Sequence, residues 1–233
     1  MAKERQLKRV GSLEVLEIPG QPGGATVVCL HGFGANAFDL ASLGRLLSLP
    51  VGTTWLFPQG PLKVSDGGIA GYAWFPLDVE ALDAAMRTGT YRDFSQMTPQ
   101  GMKTAREQIN GMLNTMNISM KKIILMGFSQ GAMVATDVAL RSSEMPLGLV
   151  ILSGNLLNES LWAEKAKTKK GLKFFQSHGT NDALLSLEHA RRLTKLLKDA
   201  GLEGDIHEFQ GAHEIPQETI YKLNQFFKKI FSN

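Results

Sequence analysis

Cysteine is almost missing from this 233-residue chain, where Cys29 is the single one. No disulfide can form within it, and the place of Cys29 in the apolar run Val27-Val28-Cys29-Leu30 marks a buried, inert thiol. Long hydrophobic runs are missing as well: no stretch approaches the ~18 apolar residues of a membrane span. The basic start Met1-Ala2-Lys3-Glu4-Arg5-Gln6-Leu7-Lys8-Arg9 is not followed by the apolar segment of a signal peptide. The expectation is a soluble, cytoplasmic protein with no stable membrane insertion. Excess charge of one sign is small, +3 overall. The lysines of Lys165-Ala166-Lys167-Thr168-Lys169-Lys170 have no aromatic residues between them, so they read as a solvated face and no nucleic-acid partner is expected. The histidines are not spaced as a metal site, and no phosphate-binding glycine loop follows the first strand. Neither a metal nor an organic cofactor is therefore expected. Internal repeats, low-complexity tracts and interdomain linkers are absent too.

What is present is a globular composition, 43% hydrophobic and 20% charged, at a length that α/β folds commonly reach undivided. One domain over residues 1–233 is expected. Short apolar runs predict strands at Leu13–Ile18, Ala25–Leu30, Thr53–Phe57, Lys122–Met126, Leu147–Leu152, Leu172–Gln176 and Glu203–Phe209. Helix-period stretches lie between them, at Phe38–Leu47, Pro99–Met116, Ser129–Arg141, Leu187–Ala200 and Ile215–Phe231. Thr98-Pro99 reads as N-cap and first helical residue, and Gly201 as a C-cap. The unbroken apolar character of Thr26–Leu30, Ile123–Met126 and Leu149–Leu152 suits central parallel strands covered on both faces. The alternation predicts an α/β architecture: an open, mostly parallel sheet with helices on both sides. Ligands of such sheets sit at the carboxyl ends of the strands.

Four segments fall at those ends. The most telling is Gly127-Phe128-Ser129-Gln130-Gly131, a G-x-S-x-G directly after a strand and directly before a helix. That context makes it a nucleophile elbow, which lifts a serine hydroxyl above the sheet on a turn that only glycine neighbours permit. A serine hydroxyl needs a base, and the base needs an orienting acid. Of the five histidines, His31 reads as loop scaffold, His178 as architectural where it closes a strand before Gly179, His189 as solvent-facing on a helix, and His207 as a strand residue. His213 follows the final strand in a Gly-Ala-His turn at the ligand-bearing edge. The acid precedes the histidine in chain order in this kind of site. Asp182 fits, in the loop leaving the strand at Leu172–Gln176, whereas Asp205 is a weaker rival at the start of a strand. Developing negative charge on a substrate oxygen calls for fixed backbone donors. Gln130 N–H, next to the nucleophile, and Phe33 N–H, in the turn His31-Gly32-Phe33-Gly34, are the candidates for this oxyanion hole.

With these segments in place, the chain resembles the α/β-hydrolase superfamily, and within it the phospholipase/carboxylesterase family of bacterial carboxylesterases and acyl-protein thioesterases. The stretches that carry the resemblance are Leu30-His31-Gly32-Phe33-Gly34, Ala73-Trp74-Phe75, the elbow, Gly179-Thr180-Asn181-Asp182 and Gly211-Ala212-His213, in the family's order from about residue 25 to 215. The resemblance implies an α/β-hydrolase fold with no large cap domain, Ser129 as nucleophile, Asp182 as acid and His213 as base. It likewise implies an oxyanion hole from Phe33 and Gln130. Pro76-Leu77 stand between the Trp-Phe pair and Asp78, where the family commonly has aspartate at once, and Ala212 replaces a glycine often found before the histidine.

The expected reaction is a two-step acyl transfer to Ser129 and then to water. The expected partner is a small-molecule ester; the alternative is an acyl-protein thioesterase or lysophospholipase acting on longer chains. Trp74 and Phe75, with Tyr72 and Phe33, are expected to wall an apolar pocket. Residues Tyr72–Asp83 and Asn155–Lys170 are expected as partial lids, and homodimerisation is compatible with the resemblance.

Overall fold

The structure is a computed structural model that describes residues 6–66 and 69–232. The ends of the expected 1–233 domain, residues 1–5 and 233, lie outside the described residues, as do Gly67 and Gly68. Strands follow as β1 Lys8–Val10, β2 Leu13–Ile18, β3 Thr26–Leu30, β4 Thr54–Pro58, β5 Leu62–Asp66, β6 Ile69–Ala73, β7 Ile123–Phe128, β8 Gly148–Leu152, β9 Lys173–Gly179 and β10 Glu203–Phe209. The helices are α1 Leu43–Leu46, α2 Val79–Thr88, α3 Met102–Thr115, α4 Gln130–Arg141, α5 Glu159–Ala166, α6 Leu187–Asp199 and α7 Gln217–Phe231.

The central strands read as unbroken apolar runs because both of their faces are covered. Val28, Leu30, Leu125, Leu149 and Ile151 point into one core with α3, α4, α5 and α6. Their neighbours Val27, Cys29, Ile124, Met126 and Val150 point into a second core with α1 and α7. A strand's period of two sends alternate residues to opposite layers, so a strand sandwiched between helices must be apolar at every position. Burial also raises the Cys29 thiol far above its ordinary range, as the sequence predicts for an inert thiol.

The main sheet runs β1-β2-β4-β3-β7-β8-β9-β10. The β1–β2 and β2–β4 pairs are antiparallel, and every pairing from β4 through β3 to β10 is parallel. From β3 the chain first moves outward to β4, then returns to place β7 on the other flank of β3. This reversal opens a crevice at the carboxyl ends of β3 and β7, the place where open α/β sheets take their ligands. The expected mostly parallel sheet with helices on both faces is thus found, and no large cap domain is present among the described residues.

The differences from expectation are local. Strand β1 and the hairpin β5–β6, paired from Leu62↔Ala73 to Asp66↔Ile69, were not expected; they are short and lack a long apolar run. The expected helix Phe38–Leu47 contracts to α1. Asn36 and Asp39 turn the chain there instead, with Asp39 Oδ2 accepting from Asn36 N–H at 2.8 Å and Asn36 Oδ1 from Phe38 N–H at 2.8 Å. Short polar side chains compete in this way with helical hydrogen bonds. The segment Asn155–Lys170 is not a lid: α5 within it packs against α4 and α6, with Trp162 and Ala166 buried in the core.

Candidate active site

Ser129 sits between β7 and α4 with φ 54° and ψ −120°, a conformation that costs a non-glycine residue about 1–3 kcal/mol. Packing on either side holds it there. A Cβ on Gly127 would come within 2.3 Å of the Gly131 carbonyl carbon, and one on Gly131 within 2.2 Å of the Leu30 carbonyl oxygen. Only glycines let the turn close this tightly and let α4 start against the end of β3. The strained serine is partly exposed at the carboxyl edge of the sheet.

The turn after β3 lies beside the elbow; a Cβ on Gly32 would meet Ser129 Cβ at 3.4 Å and the Phe128 ring at 3.3 Å. Among the described residues, no hydrogen bond engages the N–H of Phe33 or of Gln130. Two unspent backbone donors therefore flank the serine, one of them at the N-terminus of α4, where helix N–H groups are left without partners and favour negative charge. His31 is scaffold, as expected. Its Nε2 accepts from Gly60 N–H at 2.9 Å and its Nδ1 lies 2.7 Å from Gly32 O. The first bond fixes the neutral tautomer with the proton on Nδ1, and burial holds its pKa below the ordinary histidine value.

The expected acid and base, Asp182 and His213, meet directly. His213 Nδ1–H donates to Asp182 Oδ2 at 2.6 Å, while the other carboxylate oxygen accepts from Leu184 N–H and Leu185 N–H, each at 2.9 Å. The Asp182 side chain is wholly buried and that of His213 is 13% exposed. Burial is the largest influence on the Asp182 pKa and pushes it up. The His213 hydrogen bond and charge, with the Leu185 N–H, outweigh it and hold the carboxyl below its usual range. Asp182 is thus an anion fixed at both oxygens. The His213 ring packs on Phe128 of the elbow, centroids 4.8 Å apart, which places the imidazole beside the turn that carries Ser129.

Other groups support Asp182. His178 Nε2–H donates to Leu185 O at 2.9 Å and lies 3.4 Å from Asp182 Oδ2. Burial lowers its pKa, so it is a neutral neighbour of Asp182 at the end of β9. Tyr91 Oη donates to the Asp182 carbonyl at 2.9 Å, a tie across 91 residues of sequence with no local signal. The rival Asp205 is exposed and pairs with Lys198 at 3.2 Å, with no hydrogen bond to a histidine among the described residues. His189, expected to face solvent, has a side chain only 13% exposed and 3.8 Å from Asp93.

Trp74 and Phe75 do not wall an open pocket. Each is 1% exposed and packs in the core. No group of three or more histidine, cysteine, aspartate or glutamate side chains suited to a metal is found among the described residues. No helix there is long and apolar enough to cross a membrane.

Comparison with known proteins agrees with this geometry. Residues 12–231 match the family described as phospholipase/carboxylesterase. Acyl-protein thioesterase 1 of Candida albicans is 27% identical over 238 residues, covering 94% of this chain and 98% of the relative. Its namesake in Cryptococcus neoformans is 29% identical over 192 residues, covering 80% and 78%. The crystal structure of esterase PE8 superposes with a TM-score of 0.80 at 27% identity, covering 94% of this chain and 99% of that one. The elbow, the two free donors and a match that runs almost end to end lead to one assignment: the chain belongs to the phospholipase/carboxylesterase family and is a serine hydrolase of the α/β-hydrolase fold.

Proposed function

We propose that the chain hydrolyses small or short-chain carboxylic esters through an acyl-enzyme on Ser129, with His213 as base and Asp182 as its orienting acid. The observation that carries this reading is the 2.6 Å bond from His213 Nδ1–H to a buried carboxylate, beside a serine on a strained elbow. Nδ1–H pointed at Asp182 leaves Nε2 as the lone-pair nitrogen, the form required to take a hydroxyl proton. Ser129 Oγ then attacks the carbonyl carbon, and the oxyanion is received by the N–H groups of Phe33 and Gln130. His213 passes the proton to the departing alcohol. Water, deprotonated by the same nitrogen, adds to the acyl carbon and releases the acid and Ser129.

A second reading, hydrolysis of longer acyl esters or thioesters, is supported by the relatives named acyl-protein thioesterase. It is also supported by exposed apolar side chains on the loops at the carboxyl edge: Phe38, Tyr91 and Met97 are each 44–47% exposed. Rates on p-nitrophenyl esters from C2 to C16, run beside Ser129→Ala, separate the two. Activity lost in Ser129→Ala with an optimum between C2 and C6 agrees with the short-chain reading. Rates rising steadily well past C8 would replace it with the second, and full activity in Ser129→Ala would end both.

A further inference from the structure

The two free donors belong to different turns, which leave the neighbouring parallel strands β3 and β7, paired as far as Leu30↔Gly127. Beyond that last pair both turns are tied to a third segment, the four residues 72–75 that end β6 and run beyond it. Gly34 N–H donates to Tyr72 O at 2.9 Å and Tyr72 N–H donates to Ala35 O at 2.8 Å, which fixes the chain just after Phe33. The Trp74 indole N–H donates to His31 O at 2.8 Å, which fixes it just before. On the elbow side, Trp74 N–H donates to Gln130 Oε1 at 2.8 Å, and Gln130 Nε2–H donates to Phe75 O at 2.8 Å. Gln130 thus spends its whole side-chain amide on this segment while its backbone N–H stays free. All of these side chains are buried, so water does not compete for the bonds.

We infer that residues 72–75 are a template setting the spacing of the two oxyanion donors, with Trp74 and the Gln130 side chain as its positioning residues. The inference rests on the acyl-transfer reading above, which makes Phe33 and Gln130 N–H the oxyanion donors. The β3–β7 ladder sets the register of the two strands as far as Leu30↔Gly127, and beyond it the turns touch through Gly32 and Gly131, a van der Waals contact that permits sliding and rotation. Hydrogen bonds from each turn to a common segment do not. An oxyanion hole works by donors already at the right separation when the charge appears, and a displacement of about 1 Å is enough to cost orders of magnitude. The identity of residue 130 follows: a primary amide both accepts and donates, as the paired Trp74 N–H and Phe75 C=O require.

The test uses Gln130→Met, which keeps volume and loses both amide bonds, and Trp74→Phe, which loses the indole bond to His31 O together with part of the buried ring. For each variant that retains the wild-type circular dichroism spectrum, kcat and KM on p-nitrophenyl butyrate are measured with the affinity for a trifluoromethyl ketone. Its adduct places an oxyanion in the hole. Expected is a kcat lower by about 10- to 100-fold, KM within about threefold, and ketone affinity reduced by a similar factor to kcat/KM. A loss of kcat under fivefold in either folded variant overturns the inference. So does a loss that leaves ketone affinity at the wild-type level, because a generally loosened fold does not single out the oxyanion. Dependence of wild-type activity on Ser129 is scored separately by Ser129→Ala. If that dependence is absent, the acyl-transfer reading falls and takes this inference with it; if it is present, an unaffected Gln130→Met refutes the template alone.

Discussion

Replacing Asp182 by asparagine isolates the tautomer of His213, and the structure fixes what the amide will do. One oxygen of Asp182 sits under two N–H donors, Leu184 and Leu185, both at 2.9 Å. The amide oxygen of asparagine must keep that place, since turning its NH2 toward two N–H groups would set donor against donor. The NH2 then occupies the position of Oδ2, 2.6 Å from His213 Nδ1 in the native site, and the ring answers it by presenting Nδ1 as acceptor. The imidazole proton moves to Nε2, which no longer takes a proton from Ser129. The neutral His178 N–H, 3.4 Å from the same position, cannot correct the misplacement because it is a donor as well. We therefore expect kcat on p-nitrophenyl butyrate to fall by about 10⁴, or ~5.5 kcal/mol of barrier. Asp182→Ala imposes no tautomer and is expected to retain at least as much activity as Asp182→Asn. Steady-state kinetics on both purified variants decide the matter. An asparagine variant above a tenth of wild-type kcat, or one clearly faster than the alanine variant, would refute the reasoning.

Two further predictions concern stability. His31, His178 and His207 are all held below the ordinary histidine pKa, chiefly by burial. The folded protein keeps them neutral while the unfolded chain takes up protons below about pH 6.5. Their contribution is full above that pH and is lost as the pH falls through it toward the folded-state values. The slope reaches about 1.4 kcal/mol per pH unit for each buried ring, so Tm by calorimetry should drop from pH 7 to pH 5; a flat Tm would contradict this. In α4, Asp137 accepts from Arg106 Nη1 at 2.5 Å and from Trp162 Nε1 at 3.1 Å. Asp137→Ala leaves a mostly buried guanidinium and a buried indole N–H without partners, for about 3–5 kcal/mol. That corresponds to a Tm lower by on the order of 10 °C for a chain of this length. The double variant Arg106→Met/Asp137→Leu should recover more than half of it; a single-variant cost below about 1 kcal/mol would show the pair to be of little weight.

The chemistry-bearing turns were legible because their causes are local. A glycine on each side of Ser129, a strand before it and a helix after it are contiguous residues, and so are His31–Gly34. The central strands were legible for a related reason, since two-sided burial writes itself as an unbroken apolar run. Strand β10 was found to the residue at Glu203–Phe209 and β2 at Leu13–Ile18. The expected helix at Phe38–Leu47 went astray where a local rule was available but lost to periodicity: the Asn36–Asp39 turn is itself a short-range feature. Helix α5 was hidden because a lysine-rich segment with one tryptophan carries little periodic signal, and its buried face depends on α4 and α6.

By itself, then, the sequence determined the central strands, the helices α3, α4, α6 and α7 that flank them, and the tight turn that carries Ser129. Tertiary structure decided everything that depends on partners distant along the chain. Trp74 and Phe75 look the same in a sequence whether they face a substrate or fill a core; only the packing under β6 puts them in the core. Gln130 reads as one letter of a motif until its amide is seen spanning 56 and 55 residues to Trp74 and Phe75. Tyr91 reaches the Asp182 carbonyl across 91 residues only because the fold brings its loop to the same edge. Backbone propensity and hydrophobic period act over a few residues, whereas a hydrogen bond between side chains is set by where the whole sheet delivers them.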